Sequence, residues 1–93
     1  MITTWNDKEA ELIWKMHNSK RIPPNLQRSV RKKLVMIDAA ASINDLRVPP
    51  SNHLEKLSGD REGQYSIRIN SAWRVCFKWN NGNVEIVDVV DYH

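Results

Sequence analysis

The chain carries a single cysteine, Cys76. It can make no internal disulfide, which points to a reducing compartment and a cytoplasmic protein. No apolar stretch approaches the ~20 residues that a bilayer-spanning helix needs, and the N-terminus lacks a signal-peptide core. No membrane partner is therefore expected. There is no CxxC and no HExxH, so spacing gives no support to a metal site. Repeats, low-complexity tracts and long linkers are missing as well, and residues 1–93 are expected to form one domain around one modest core. With 41% hydrophobic and 27% charged residues, the composition is that of a globular protein and not of a disordered tail.

Charge is unevenly spread. The net charge is only +3, yet between Lys15 and Lys33 there are seven of the fourteen basic residues and no acidic one. Such a field attracts polyanions (RNA, DNA or an acidic protein tail), although a basic helix face can equally be a solvated one.

Two periodicities divide the chain. Ile2, Thr3, Thr4 and Trp5 suit a short strand. Asn6, with Glu9 three residues on, reads as a capping box that opens a helix running to about Met16. Ala10, Ile13, Trp14 and His17 then share a face, where His17 is read as structural. Pro23–Pro24 can start a second helix, whose apolar stripe is Leu26, Val30, Leu34, Ile37 and Ala41, with Arg28 and Lys32 opposite. Ala39–Ala41 and Ser42 begin a further short helical turn, which Pro49–Pro50 must stop. From Tyr65 on, the pattern alternates. Tyr65, Ile67 and Ile69, then Trp73, Val75, Phe77 and Trp79, face one way; Ser66, Arg68 and Asn70, then Arg74, Cys76 and Lys78, face the other. Asn81–Gly82 marks a hairpin turn needing positive φ at both positions, and Val84–Val90 makes the last strand. The expected fold is α+β: two N-terminal helices packed on one face of a curved antiparallel sheet, with a short strand at the N-terminus. Arg68 and Arg74 should project from an open, positively charged face able to hold phosphates.

The residues able to do chemistry are few. His53 follows a double proline, and the chain ends Asp91-Tyr92-His93 directly after an apolar strand. Histidine suits proton transfer near neutrality because its ordinary pKa of ~6.5 lies there. A lone histidine in such a loop is more often structural, and terminal residues are often disordered. Two histidines, a tyrosine and two arginines on one sheet face would reverse that judgement. Cys76 is most simply a small buried strand residue, and Trp5, Trp14, Trp73 and Trp79 are most simply core.

Three stretches carry a specific likeness: Asn52-His53-Leu54-Glu55-Lys56-Leu57-Ser58-Gly59-Asp60; the strand pair Tyr65–Asn70 and Trp73–Phe77; and the ending Val90-Asp91-Tyr92-His93. Together they resemble the HigB branch of the RelE/ParE toxin superfamily, in order and over essentially the whole chain. The resemblance implies a RelE-like fold and a toxin of a type II toxin–antitoxin system. It implies cleavage of messenger RNA on the translating ribosome, with ribosomal RNA contacts, by an endoribonuclease needing neither metal nor organic cofactor. It also implies a helix-turn-helix, HigA-like antitoxin, with operator DNA bound only through that antitoxin.

On this resemblance His53 and His93 form the proton-transfer pair. Tyr92 stacks on a base or assists proton transfer, and Asp91 orients a histidine or tunes its pKa. Arg74, with Arg68 and Lys56, holds the scissile phosphate, and Lys32 and Arg28 add substrate contacts from the basic segment. The ribose 2′-OH as nucleophile implies a 2′,3′-cyclic phosphate product and no cleavage of DNA. The competing reading is a ParE-like, non-enzymatic inhibitor of DNA gyrase, which would have no chemical need of His53 and the Asp91-Tyr92-His93 ending. A plain nucleic-acid-binding domain, third, would bind DNA and RNA alike and form no product.

Overall fold

The structure, a computed structural model, describes residues 1–91. Strand β1 (Ile2–Trp5) leads into helix α1 (Lys8–Trp14) and helix α2 (Pro24–Ala39). Two short 3-10 turns, Ile43–Arg47 and Pro50–Asn52, precede strand β2 (Glu55–Lys56). A third, Gly59–Arg61, leads to β3 (Gln64–Arg68), β4 (Trp73–Asn80) and β5 (Asn83–Asp91). The sheet order is β1-β5-β4-β3-β2. Its β3–β5 portion is the expected antiparallel meander; β2 adds an antiparallel edge strand that the alternation does not mark, and β1 runs parallel to β5, so the sheet is mixed. None of the described helices is long and apolar enough to cross a membrane.

Helix α1 starts one residue later than the capping box suggested. Asp7, not Asn6, is the cap: its Oδ1 accepts from the Glu9 and Ala10 amides at 3.0 and 3.2 Å. Its Oδ2 accepts from the Val89 amide and from Arg21 Nη2, so one carboxylate ties the helix start to β5 and to the loop before α2. The helix also stops early. Met16 takes a left-handed conformation (φ 68°), and the amides of Met16 and His17 reach back to the carbonyls of Ile13 and Leu12. This is the two-bond C-terminal motif that normally uses glycine at the Met16 position. His17 thereby leaves the apolar face and is exposed, against the structural role expected of it.

Helix α2 keeps the expected stripe, with Val30, Leu34 and Ile37 fully buried and Pro24 in its first turn. The fifth member, Ala41, lies past the helix end and is exposed. The turn after it is Ile43–Arg47, where Asp45 accepts from the Ala41 and Ser42 amides. These amides hold the Asp45 carboxyl below its ordinary pKa.

The helices and the sheet share one core: Ala10 and Ile13 from α1, the α2 stripe, and Ile67, Val75, Phe77, Val84, Ile86 and Val89 from the strands. The Asn81–Gly82 turn has φ of 53° and 87°, as both positions require. A bulge then corrects β5. Cys76 pairs with Asp88 and Phe77 with Ile86, which leaves Val87 as the extra residue and changes the spacing of inward residues from two to three. Strict alternation from Val84 would drive Asp88 into the core. The bulge turns it to the other face, where it meets Arg61 in a two-bond pair at 2.9 and 2.8 Å.

That other face is not the open one expected. Ser66 and Cys76 are fully buried and Arg74 is only 9% exposed. The loop carrying His53 and the Arg61–Asp88 pair both sit on this side of the sheet. Burial pushes the Cys76 thiol up to about 11.

Candidate nucleic-acid site

The β3–β4 turn builds one wall of a small cleft. Asn70 Oδ1 accepts from the Ala72 and Trp73 amides, both at 2.8 Å, which fixes the turn. Arg68 at the end of β3 and Arg74 in β4 are direct cross-strand partners. Two like charges opposite each other cost stability unless something neutralises them. Arg68 donates from Nε to the Asn70 carbonyl at 2.9 Å. Arg74 donates from Nε to Ser66 Oγ at 2.8 Å and from Nη2 to the His53 carbonyl at 2.6 Å, while Glu55 Oε1 stands 3.8 Å away.

His53 forms the opposite lip. It ends the Pro50–Asn52 turn in a left-handed conformation (φ 44°, ψ 57°), with an exposed side chain. Below it, Asn52 is completely buried. Its Nδ2 donates to the Leu46 and Val48 carbonyls at 3.2 and 3.4 Å, and its Oδ1 accepts from Lys33 Nζ at 2.6 Å. Burial, and then the neighbouring Lys32 charge, hold the Lys33 ammonium below its ordinary pKa. The histidine backbone is thus clamped from two sides, by Arg74 from the sheet and by Lys33 through Asn52 from α2. Asn52 stands beside His53 in the family-like stretch, with no chemistry of its own to mark it. The available signal was a polar residue just after the double proline, at a point where the chain must turn back onto the core.

His53, Arg68, Asn70, Ser71, Ala72 and Arg74 line a cavity of about 240 Å³. Two guanidinium groups and an imidazole around such a space suit an anion the size of a phosphodiester. The other sequence candidates are elsewhere or out of view. Lys56 pairs with Tyr65 across β2 and β3 and so shares the opposite face from Arg74; Glu55, paired with Ser66, takes the cleft side. Asp91 is exposed and in register with Trp73, whereas Val90 is the partner of Arg74. Tyr92 and His93 lie outside the described residues. Arg28 and Lys32 line a separate groove on the helices, of about 1030 Å³. Among the described residues no three His, Cys, Asp or Glu side chains are grouped to hold a metal ion.

Residues 3–93 match the model of a protein family described as the RelE-like toxin of type II toxin–antitoxin system HigB. The chain belongs to the HigB-like toxins. Relatives of this HigB-like chain include Toxin HigB-1 of Vibrio cholerae, 36% identical over 83 residues covering 88% of this chain and 87% of that protein. Endoribonuclease HigB of Proteus vulgaris is 31% identical over 93 residues and all of both chains. An uncharacterised Haemophilus influenzae protein is 47% identical over 64 residues, which span 69% of this chain and 63% of that one. Among solved structures, the YoeB–YefM complex from Staphylococcus aureus (TM-score 0.63, 22% identity, 100% of this chain and 95% of that one) shares the fold of this HigB-like toxin. So does a YafQ mutant from E. coli (TM-score 0.67, 14% identity, 98% and 91%).

Proposed function

We propose that this HigB-like toxin is an endoribonuclease that cuts messenger RNA on the translating ribosome, through the ribose 2′-OH and without a metal ion. The observation that carries the reading is the Arg68–Arg74 pair, opposed in register beside His53. An anion between the arginines offsets the repulsion of two like charges set in register, which Glu55, 3.8 Å from Arg74 Nη2, offsets only from one side. Alignment of the whole chain with a protein named Endoribonuclease HigB supports the same choice.

In this reading the scissile phosphate sits against Arg68 and Arg74, which meet the charge that builds up on its oxygens in the transition state. The 2′-oxygen attacks phosphorus as a base removes its proton. The bond from phosphorus to the 5′-oxygen breaks as an acid protonates that oxygen, leaving a 2′,3′-cyclic phosphate. His53 and His93 are the two proton-transfer groups, Tyr92 stacks on a base or assists transfer, and Asp91 orients a histidine. Lys56 shares the face of Tyr65 and is left outside the phosphate clamp. The toxin acts in the cytoplasm, as one domain, under a helix-turn-helix antitoxin through which operator DNA is bound.

The test is translation of a defined messenger on purified ribosomes with cleavage mapped by primer extension. The controls are naked RNA, a chelator, and a messenger carrying a 2′-deoxy substitution at the mapped site. Cleavage that survives the chelator and stops at the deoxy position is the expected result. An intact messenger, from a protein that still arrests growth, sinks the nuclease reading and leaves gyrase inhibition to be assayed.

A further inference from the structure

The groove between α1 and α2 has a composition that the cleavage reaction does not use. Its floor is apolar: Ile13, Val35 and Met36 line it, and Met16 stands at its edge. Met16 is 74% and Val35 42% exposed, two of the four large apolar side chains left exposed among the described residues. Its rim is basic, from Arg28, Arg31 and Lys32, which recur at helical spacing on α2. Arg31 is the most telling. Its guanidinium lies over the Trp14 ring, 5.8 Å from the centroid, and its Nε is buried without a hydrogen-bond partner. An unpaired buried donor costs about 1–3 kcal/mol.

We infer that this groove docks an acidic, amphipathic segment of the antitoxin, its apolar side chains on Ile13, Val35 and Met36 and its carboxylates on Arg28, Arg31 and Lys32. The apolar floor favours a protein segment over RNA, because a phosphate backbone contacts cations and has nothing to place on exposed valine and methionine. Charge opposes a symmetric contact with a second copy, which would set the same basic rim against itself. Arg28 and Lys32 are thereby assigned to the partner and not to the messenger. The inference rests on the reading of this chain as a toxin held by an antitoxin, but not on the chemistry at His53.

The test uses the full chain, the product of the reading frame adjacent to its gene as the antitoxin, and purified ribosomes with messenger as the second readout. Variants are Val35→Glu, at an exposed position where folding is retained, and Arg28→Glu with Lys32→Glu; thermal melts check folding. Val35→Glu is expected to weaken antitoxin binding about tenfold or more with cleavage by the free toxin unchanged. The double charge reversal weakens binding by about a hundredfold or more and flattens its salt dependence. Unchanged antitoxin affinity in both variants overturns the inference. Lost cleavage on ribosomes with antitoxin binding intact overturns it as well, and gives the groove to ribosomal RNA. A wild-type chain that binds through the groove yet cleaves no messenger supports the groove and retires the nuclease reading.

Discussion

Two clusters of cations face solvent on this molecule, and they are built in opposite ways. At the sheet cleft, Arg74 is 9% exposed and bonded to Ser66 and the His53 carbonyl, and Arg68 is fastened to the β3–β4 turn. Their positions are set before any ligand arrives. On the helical groove, Arg28 and Lys32 are exposed, and Arg31 has a buried nitrogen left unbonded. Preorganised charge suits a transition state, where the side chains cannot wait to be ordered. Looser charge over an apolar floor suits a partner whose own groups complete the site.

The largest effect should come from His53, which lines the cleft. His53→Ala is expected to lower the cleavage rate by roughly 10²–10⁴-fold while leaving antitoxin affinity unchanged, measured as initial rates beside equilibrium binding. A matched loss of both would dissolve the distinction between the two regions.

Truncating one arginine from each cluster comes next. Arg74→Met removes the bonds to Ser66 and His53 and leaves buried acceptors unpaired, so stability should fall by about 2–4 kcal/mol. Arg28→Met, at an exposed position, should stay within about 0.5 kcal/mol. Urea unfolding of the two variants gives the comparison directly, and equal losses would mean that the cleft is no more tightly built than the groove.

How far these regions could be read from sequence differs for physical reasons. The α2 stripe of Val30, Leu34 and Ile37 and the Asn81–Gly82 turn are local signals, set by periodicity and by φ, and both stand as read. The bulge at Val87 is hard to place because five of the seven residues from Val84 to Val90 are apolar, so Val87, Val89 and Val90 suit either face. Without the bulge Asp88 would turn into the core and Val89 out of it, and the charge at Asp88 is the hint that the sequence offers. Alternation placed Arg74 on the polar face correctly but could not say what lies over it. The cover comes from the His53 loop, and its anchoring by Asn52 and Lys33 joins residues 19 apart. The parallel partnership of β1 with β5 is of the same kind, spanning some 80 positions with no local signature. At α1, the capping box is read at Asn6, one residue before the observed cap Asp7. Asp7 wins because a carboxylate there also meets Arg21 and the Val89 amide. Of the candidate site, Arg68, Arg74 and His53 converge, whereas Lys56, Arg28 and Lys32 belong to other faces.

Smaller effects sharpen the contrast further. Met16 occupies a left-handed position that glycine takes at no cost, so Met16→Gly should stabilise the free toxin by about 1 kcal/mol. The same change removes an apolar contact from the groove and should weaken antitoxin binding. Opposite signs in a thermal melt and a binding titration are expected; a destabilised Met16→Gly would contradict this reading of the helix end.

Smallest at neutral pH is the effect of Cys76. Its native pKa, near 11, lies above the ordinary 9.0 because the thiol is buried. Above pH 9 the unfolded chain releases this proton and the native one holds it, so the thiol's contribution is complete below pH 9 and is lost as pH rises toward 11. Urea midpoints measured from about pH 8 to 11 should therefore decline less steeply in Cys76→Ala than in the wild type.

The most direct single measurement is a titration of the toxin, followed by side-chain resonances, with a short RNA made uncleavable by a 2′-deoxy substitution. The two-region account predicts shifts at His53, Arg68 and Arg74 and none at Arg28, Arg31 and Lys32. Shifts confined to the helical groove, with the cleft silent, would contradict it.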